Sequence, residues 1–154
     1  MDIYSKINEL GIKLPEPPSA GGIYYPVKRF SGKMLYTSGI GPMKDGKPVM
    51  TGKLGTDLSI EQGQEAARVT IMNMLSVIEK EIGDLNLIKS FVKVLGFVAS
   101  SDDFYQQPQV MNGASQLLVD IFGEMAGKAA RSAIGTNALP GNIPVEIEAV
   151  IELK

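Results

Sequence analysis

The segment Val145–Leu153 constrains this chain more than any other. Val145, Ile147, Ala149, Ile151 and Leu153 alternate without interruption with Glu146, Glu148, Val150 and Glu152. That period of two predicts a half-buried strand. Its odd residues pack under a layer of helices and its even residues point to an uncovered face. Val150 among the glutamates implies that the uncovered face is not fully wet.

The rest of the chain supplies the covering layer. Ser59 caps a helix to about Ile82, with Gln62 placed three residues on for a capping box. Ala67, Ile71, Met74, Leu75, Ile78 and Ile82 form its apolar stripe, the methionines serving as core filler. Gly83 ends it. A second helix runs from about Pro108 to Phe122, with Ala114, Leu117, Leu118 and Ile121 inward and Gly123 behind it. Between the helices, Ile88–Ala99 reads as a long buried strand.

Tyr24–Phe30 and Met34–Ser38 are predicted strands joined at Ser31-Gly32-Lys33. Lys44-Asp45-Gly46-Lys47 carries an Asp-Gly hairpin signal, and Ala130–Asn137 forms a further strand. The order is β-β-(β)-α-β-α-β-β, an α/β fold with one mixed sheet of about five to six strands and two helices on one face. A short helix, Asp2–Leu10, precedes it, followed by an arm rich in Pro and Gly. Residues 1–22 form this extension and 23–154 the core of a single domain, 1–154. Two helices cover one sheet face only, so the other predicts an oligomer.

Composition narrows the chemistry. The 154 residues hold no His, Cys or Trp, which removes the commonest bases, nucleophiles and soft metal ligands. The net charge of −2 comes from 15 basic and 17 acidic residues with no basic cluster, so nucleic acid is not an expected partner. No run is long and apolar enough to span a bilayer. The absence of cysteine fits a reducing cytoplasm, the expected location.

Two charged groups stand out. Arg131 enters the small, apolar run Ala129–Ile134, and its planar fork suits a carboxylate. By spacing alone it is equally an ion-pair partner of Glu146 or Glu148 and a ligand anchor. Glu146 and Glu148 are either a solvated strand face or groups that handle a proton or water. Thr37-Ser38-Gly39-Ile40-Gly41-Pro42 ends a strand in small residues, where glycine lets a ligand approach the backbone.

Thr37-Ser38-Gly39, Ala130-Arg131-Ser132 and Val145-Glu146-Ile147-Glu148-Ala149, in this order, resemble the RidA/YjgF family over roughly Tyr24 to Leu153. The resemblance implies a chorismate-mutase-like fold in a homotrimer with sites in inter-subunit clefts, here in a longer-armed branch. It implies hydrolysis of reactive enamine/imine intermediates to 2-oxo acids and ammonia, with no metal or organic cofactor.

Carried over, Arg131 grips the substrate carboxylate, and the backbone of Gly39 and Ala133 binds the same ligand. Ser38 lines the site. Tyr25 forms an aromatic wall, with Tyr24 adjacent if the register slips. Glu146 positions the attacking water. Ala133 stands where a cysteine is common in the family, and Ile40 where glutamine is frequent, making that wall more apolar. The alternatives are a non-catalytic module binding small carboxylates and, following a label often given to the family, an endoribonuclease. Neither histidine nor a basic patch supports the latter.

Overall fold

The computed structural model describes residues 2–154. Its elements are α1 (Ile3–Glu9), β1 (Val27–Phe30), β2 (Met34–Thr37), β3 (Met43–Lys44), β4 (Lys47–Pro48), α2 (Ile60–Ile82), β5 (Ile88–Ala99), α3 (Gln107–Gly127), β6 (Ala130–Thr136) and β7 (Val145–Leu153). Short 3-10 turns at Leu85–Leu87 and Pro140–Asn142 complete the chain.

Five strands form one sheet in the order β1-β2-β7-β5-β6, with β7 at its centre. β5 and β6 are parallel, and every other pair is antiparallel. The parallel pair is the one joined through a helix, α3, as a crossover demands. The hairpin β3–β4 stands apart as a two-stranded sheet rather than extending the main one. Its Asp45-Gly46 turn has φ of 51° and 75°, the left-handed pair that a two-residue hairpin requires.

β7 follows its alternation along its whole length: odd residues are buried and even residues half-buried. β7 packs against α2, and its Ile147 and Ile151 are fully enclosed. Ser59 and Gln62 form the reciprocal capping box of α2, and Gly83 closes that helix at φ 81°. α3 continues past Phe122 to Gly127, through a break at Gly123 with φ 78°. The two helices approach closely because Gly113 faces the backbone oxygen of Gln64, where a Cβ does not fit.

The opposite face carries Tyr36, Leu95, Phe97, Ile134 and Val150, with Glu146, Glu148 and Glu152 among them, and no helix covers it. The predicted N-terminal helix docks at the Ile88 end of the sheet. Asp2 caps it through Ser5 N at 2.9 Å and accepts from Asn86 Nδ2 at 2.9 Å. Ile3 and Ile7 are buried there. The arm then crosses α2 toward the β3–β4 hairpin, leaving a cleft of about 890 Å³. Among the described residues, no helix is long and apolar enough to cross a membrane.

Candidate functional site

At the end of the sheet far from α1, the strand ending in Thr37-Ser38-Gly39 meets the start of β7. Tyr36 lies opposite Val150, yet Ile40 lies opposite Ile147, so the register slips by one residue between them. The slip would leave the Ala149 N–H without a ladder acceptor. Thr37, almost fully buried, supplies one: its Oγ1 accepts that N–H at 2.9 Å. Beyond the irregularity, Ile40 and Ile147 exchange two backbone bonds of 2.9 Å. Between these anchors the chain carries Gly39 directly beneath the Glu146 side chain. The carboxylate fills the space that a Cβ at Gly39 would need.

Ser38 ties the same strand end to the β1 entrance. Its hydroxyl donates to the Tyr25 carbonyl at 2.7 Å, and its backbone N–H donates to the Pro26 carbonyl at 2.8 Å. The Tyr25 ring is exposed, with the Lys28 ammonium 4.7 Å from its centroid. Tyr24 turns back instead, its hydroxyl accepting from Gly21 N at 3.0 Å. Tyr25, Ser38, Gly39 and Glu146 thus form one cluster, and Tyr25 is the aromatic with its face toward Lys28.

Glu146 differs from its neighbours on β7. Glu148 accepts from the Tyr36 hydroxyl at 2.9 Å, and Glu152 accepts from Lys89 Nζ at 2.8 Å. Among the described residues no donor reaches Glu146. Burial pushes its carboxyl above the usual carboxylate range, and the charge of Glu148 adds to the shift. The Tyr36 phenol is also raised, by its bond to Glu148.

Arg131 lies elsewhere. Val94 is its register partner on β5, and Val94 is buried under the helices. Arg131 therefore projects on the helical side, at the sheet edge, whereas Glu146 projects on the open side opposite Phe97. Two strand spacings and three residues separate them, about 14 Å between Cα atoms. The ion pair between Arg131 and Glu146 or Glu148, open by spacing, does not form, and Arg131 takes part in no salt bridge among the described residues.

Its guanidinium contacts α3 instead. Nη1 donates to Asn112 Oδ1 at 3.0 Å and to Ser115 Oγ at 2.9 Å, and Nη2 donates to the Pro108 carbonyl at 3.3 Å. Partial burial draws its pKa below the ordinary arginine value. Ala133 shares the helical side of β6, opposite Gly96. Among the described residues no strand pairs with the outer edge of β6. The chain therefore holds these residues in two separate groups: Tyr25, Ser38, Gly39 and Glu146 in one, Arg131 and Ala133 in the other.

Asn112 and Ser115 escape a reading of the sequence, and so does the role of Thr37 as acceptor of the Ala149 N–H. The available signal was weak: two polar residues three apart on a helix whose neighbours Val110, Met111, Ala114 and Leu117 are buried. Among the described residues no group of His, Cys, Asp and Glu is arranged to hold a metal ion.

Several known proteins are similar. Protein TCP17 of Trypanosoma cruzi is 40% identical over 151 residues, 98% of this chain and 94% of its own length. The crystal structure of Atu1372 from Agrobacterium tumefaciens is 39% identical with a TM-score of 0.90, covering 99% of this chain and 92% of that one. E. coli TdcF, solved with bound serine, shares the fold at 20% identity and a TM-score of 0.62, over 92% of this chain and 96% of its own. The YjgF/chorismate mutase-like family, whose description carries an endoribonuclease label, matches residues 4–152. By that match over nearly its whole length, the chain belongs to the YjgF/chorismate mutase-like family.

Proposed function

We infer that this protein hydrolyses 2-iminoacids to 2-oxo acids and ammonia. The observation that carries the reading is Arg131: among the described residues its partly buried guanidinium is held by neutral acceptors alone and paired to no carboxylate. Such a group keeps its charge for an external anion, and a charge-assisted bond to it contributes about 1.5–3 kcal/mol.

The substrate is already electrophilic at C2, so the reaction needs a placed water more than a strong nucleophile. Glu146 suits that task. It has no donor among the described residues, lies against Gly39, and has a carboxyl raised above the usual carboxylate range, which strengthens it as a base. Glu146 takes a proton from the water as its oxygen bonds to C2 and the C=N π pair moves to nitrogen, and Glu146 then passes that proton to the nitrogen and is again a carboxylate. The resulting carbinolamine then collapses. Its hydroxyl proton leaves through Glu146 to the nitrogen, the C–N bond breaks, and ammonia departs from the 2-oxo acid. Every proton and electron pair is accounted for without a cofactor.

Arg131 and Glu146 stand on opposite faces of one sheet, so a single small substrate meets both only across a contact between copies. A homotrimer with clefts between subunits satisfies this and covers the apolar open face. The serine held by the TdcF relative, a small amino acid with a carboxylate, agrees in size and charge. It also favours a second reading, a module that binds small carboxylates without turnover.

One assay separates the two. Freshly generated 2-iminoacids, small and bulky, are mixed with the purified protein and ammonia release is followed beside a calorimetric titration with pyruvate. Accelerated release that is lost in Arg131→Ala and in Glu146→Gln is the expected result. Binding without acceleration establishes the module instead.

A further inference from the structure

We propose that Asn112 and Ser115 are positioning residues that preset Arg131 for a two-point grip on a carboxylate. The proposal rests on the reading of Arg131 as the carboxylate anchor.

A guanidinium offers five N–H donors. Nη1 uses both of its own, on Asn112 Oδ1 and Ser115 Oγ. Nη2 uses one on the Pro108 carbonyl. Two donors remain, Nε–H and one Nη2–H, and two is the number that a carboxylate accepts from an arginine fork. Among the described residues the helix takes up three of the five donors and leaves two for an external carboxylate.

The chemical nature of the acceptors matters as much as their number. An amide, a hydroxyl and a backbone carbonyl fix the plane of the group without cancelling its charge. An Asp or Glu in either side-chain position would hold the plane equally well and compete with any anion. α3 carries Asp120 and Glu124 further along, yet neither bonds to Arg131.

The frame that presents the two residues is stiff. They sit three apart on α3, hence on one side of it. The neighbouring Met111 is fully buried and seats against Gly96 of β5, where a Cβ would collide with its thioether. Arg131 and Gly96 lie on adjacent strands in fixed register. The helix cannot slide without losing that seat, so Asn112 and Ser115 stay in place over the arginine.

The test uses the full chain. Wild type, Asn112→Ala, Ser115→Ala, Ser115→Thr and Arg131→Ala are titrated with pyruvate and phenylpyruvate by calorimetry, with melting temperatures recorded for each. Each alanine variant is expected to weaken binding about fivefold, the loss of one net hydrogen bond. Ser115→Thr, which keeps the hydroxyl, retains wild-type affinity. In ligand-free protein the Arg131 Nε–H signal exchanges faster with solvent in both alanine variants at unchanged melting temperature, which a role in folding alone would not produce.

Alanine variants that bind as tightly as wild type, while Arg131→Ala does not bind, overturn the positioning roles and leave the anchor intact. Wild type that binds neither acid overturns the anchor reading itself.

Discussion

The Glu146 carboxylate occupies the space that any side chain at position 39 would require. Glycine there is fixed by packing rather than by backbone angle, since Gly39 is absent from the glycines with positive φ. The obstructing atoms are the far end of a flexible side chain. Gly39→Ala is therefore expected to fold and to swing Glu146 aside. Under the proposed reaction, an ångström of misplacement costs about a hundredfold in rate. Two measurements check this: the substitution lowers kcat/KM in wild type, and the stability cost it carries in wild type vanishes in Glu146→Ala, because the two share one contact.

Glu146 also sets a pH dependence. Burial and Glu148 raise its folded pKa above the unfolded value. A group shifted upward contributes stability below its unfolded pKa, and that contribution is lost as pH rises through the folded one. Above that folded pKa the ionised, desolvated carboxylate is thus a burden on the fold. Glu146→Gln is expected to raise the melting temperature above that pKa while abolishing turnover. The gain should shrink as the pH falls through the folded pKa. Melting curves of both proteins from about pH 8 to about pH 4 decide it; an equal difference at every pH refutes it.

The contrast between β7 and β6 shows what a sequence can and cannot reveal. β7 announces its two faces because large aliphatic residues alternate with glutamates, and its orientation follows from that pattern alone. α2 is equally legible, since its cap, stripe and terminal glycine are local. β6 reads Ala130-Arg131-Ser132-Ala133-Ile134-Gly135-Thr136, small residues with no alternation, so nothing local says which way Arg131 points. Its direction is decided by pairing with β5, where Val94 is its partner. That pairing depends on the whole α3 crossover. The carry-over from family resemblance named Arg131 and Glu146 together, and only the sheet shows that the chain separates them.

Thr37 holds the irregularity that brings β2 and β7 to this arrangement. Its hydroxyl accepts from Ala149 N at 2.9 Å in a nearly dry setting. Thr37→Val keeps the shape and leaves that N–H unsatisfied, at a cost of about 1–3 kcal/mol. Thr37→Ser keeps the acceptor and should recover most of the loss. Urea denaturation measures both. The Ala149 amide should exchange with solvent faster in the valine variant and at the wild-type rate in the serine variant.

The helical layer makes the strongest demand on glycine at position 113. A Cβ there would press on the backbone oxygen and carbonyl carbon of Gln64 in α2. Unlike the Glu146 carboxylate over Gly39, this obstruction is main chain within a helix and cannot rotate away. Gly113→Ala must push α2 and α3 apart, and it moves Asn112 and Ser115 with α3. Overpacking of this kind costs about 1–3 kcal/mol, which exceeds the small gain that alanine brings inside a helix. The variant is expected to unfold at lower urea than wild type and to bind pyruvate more weakly, because the arginine supports shift with the helix. Unchanged stability in Gly113→Ala would show that the two helices have room that their packing denies.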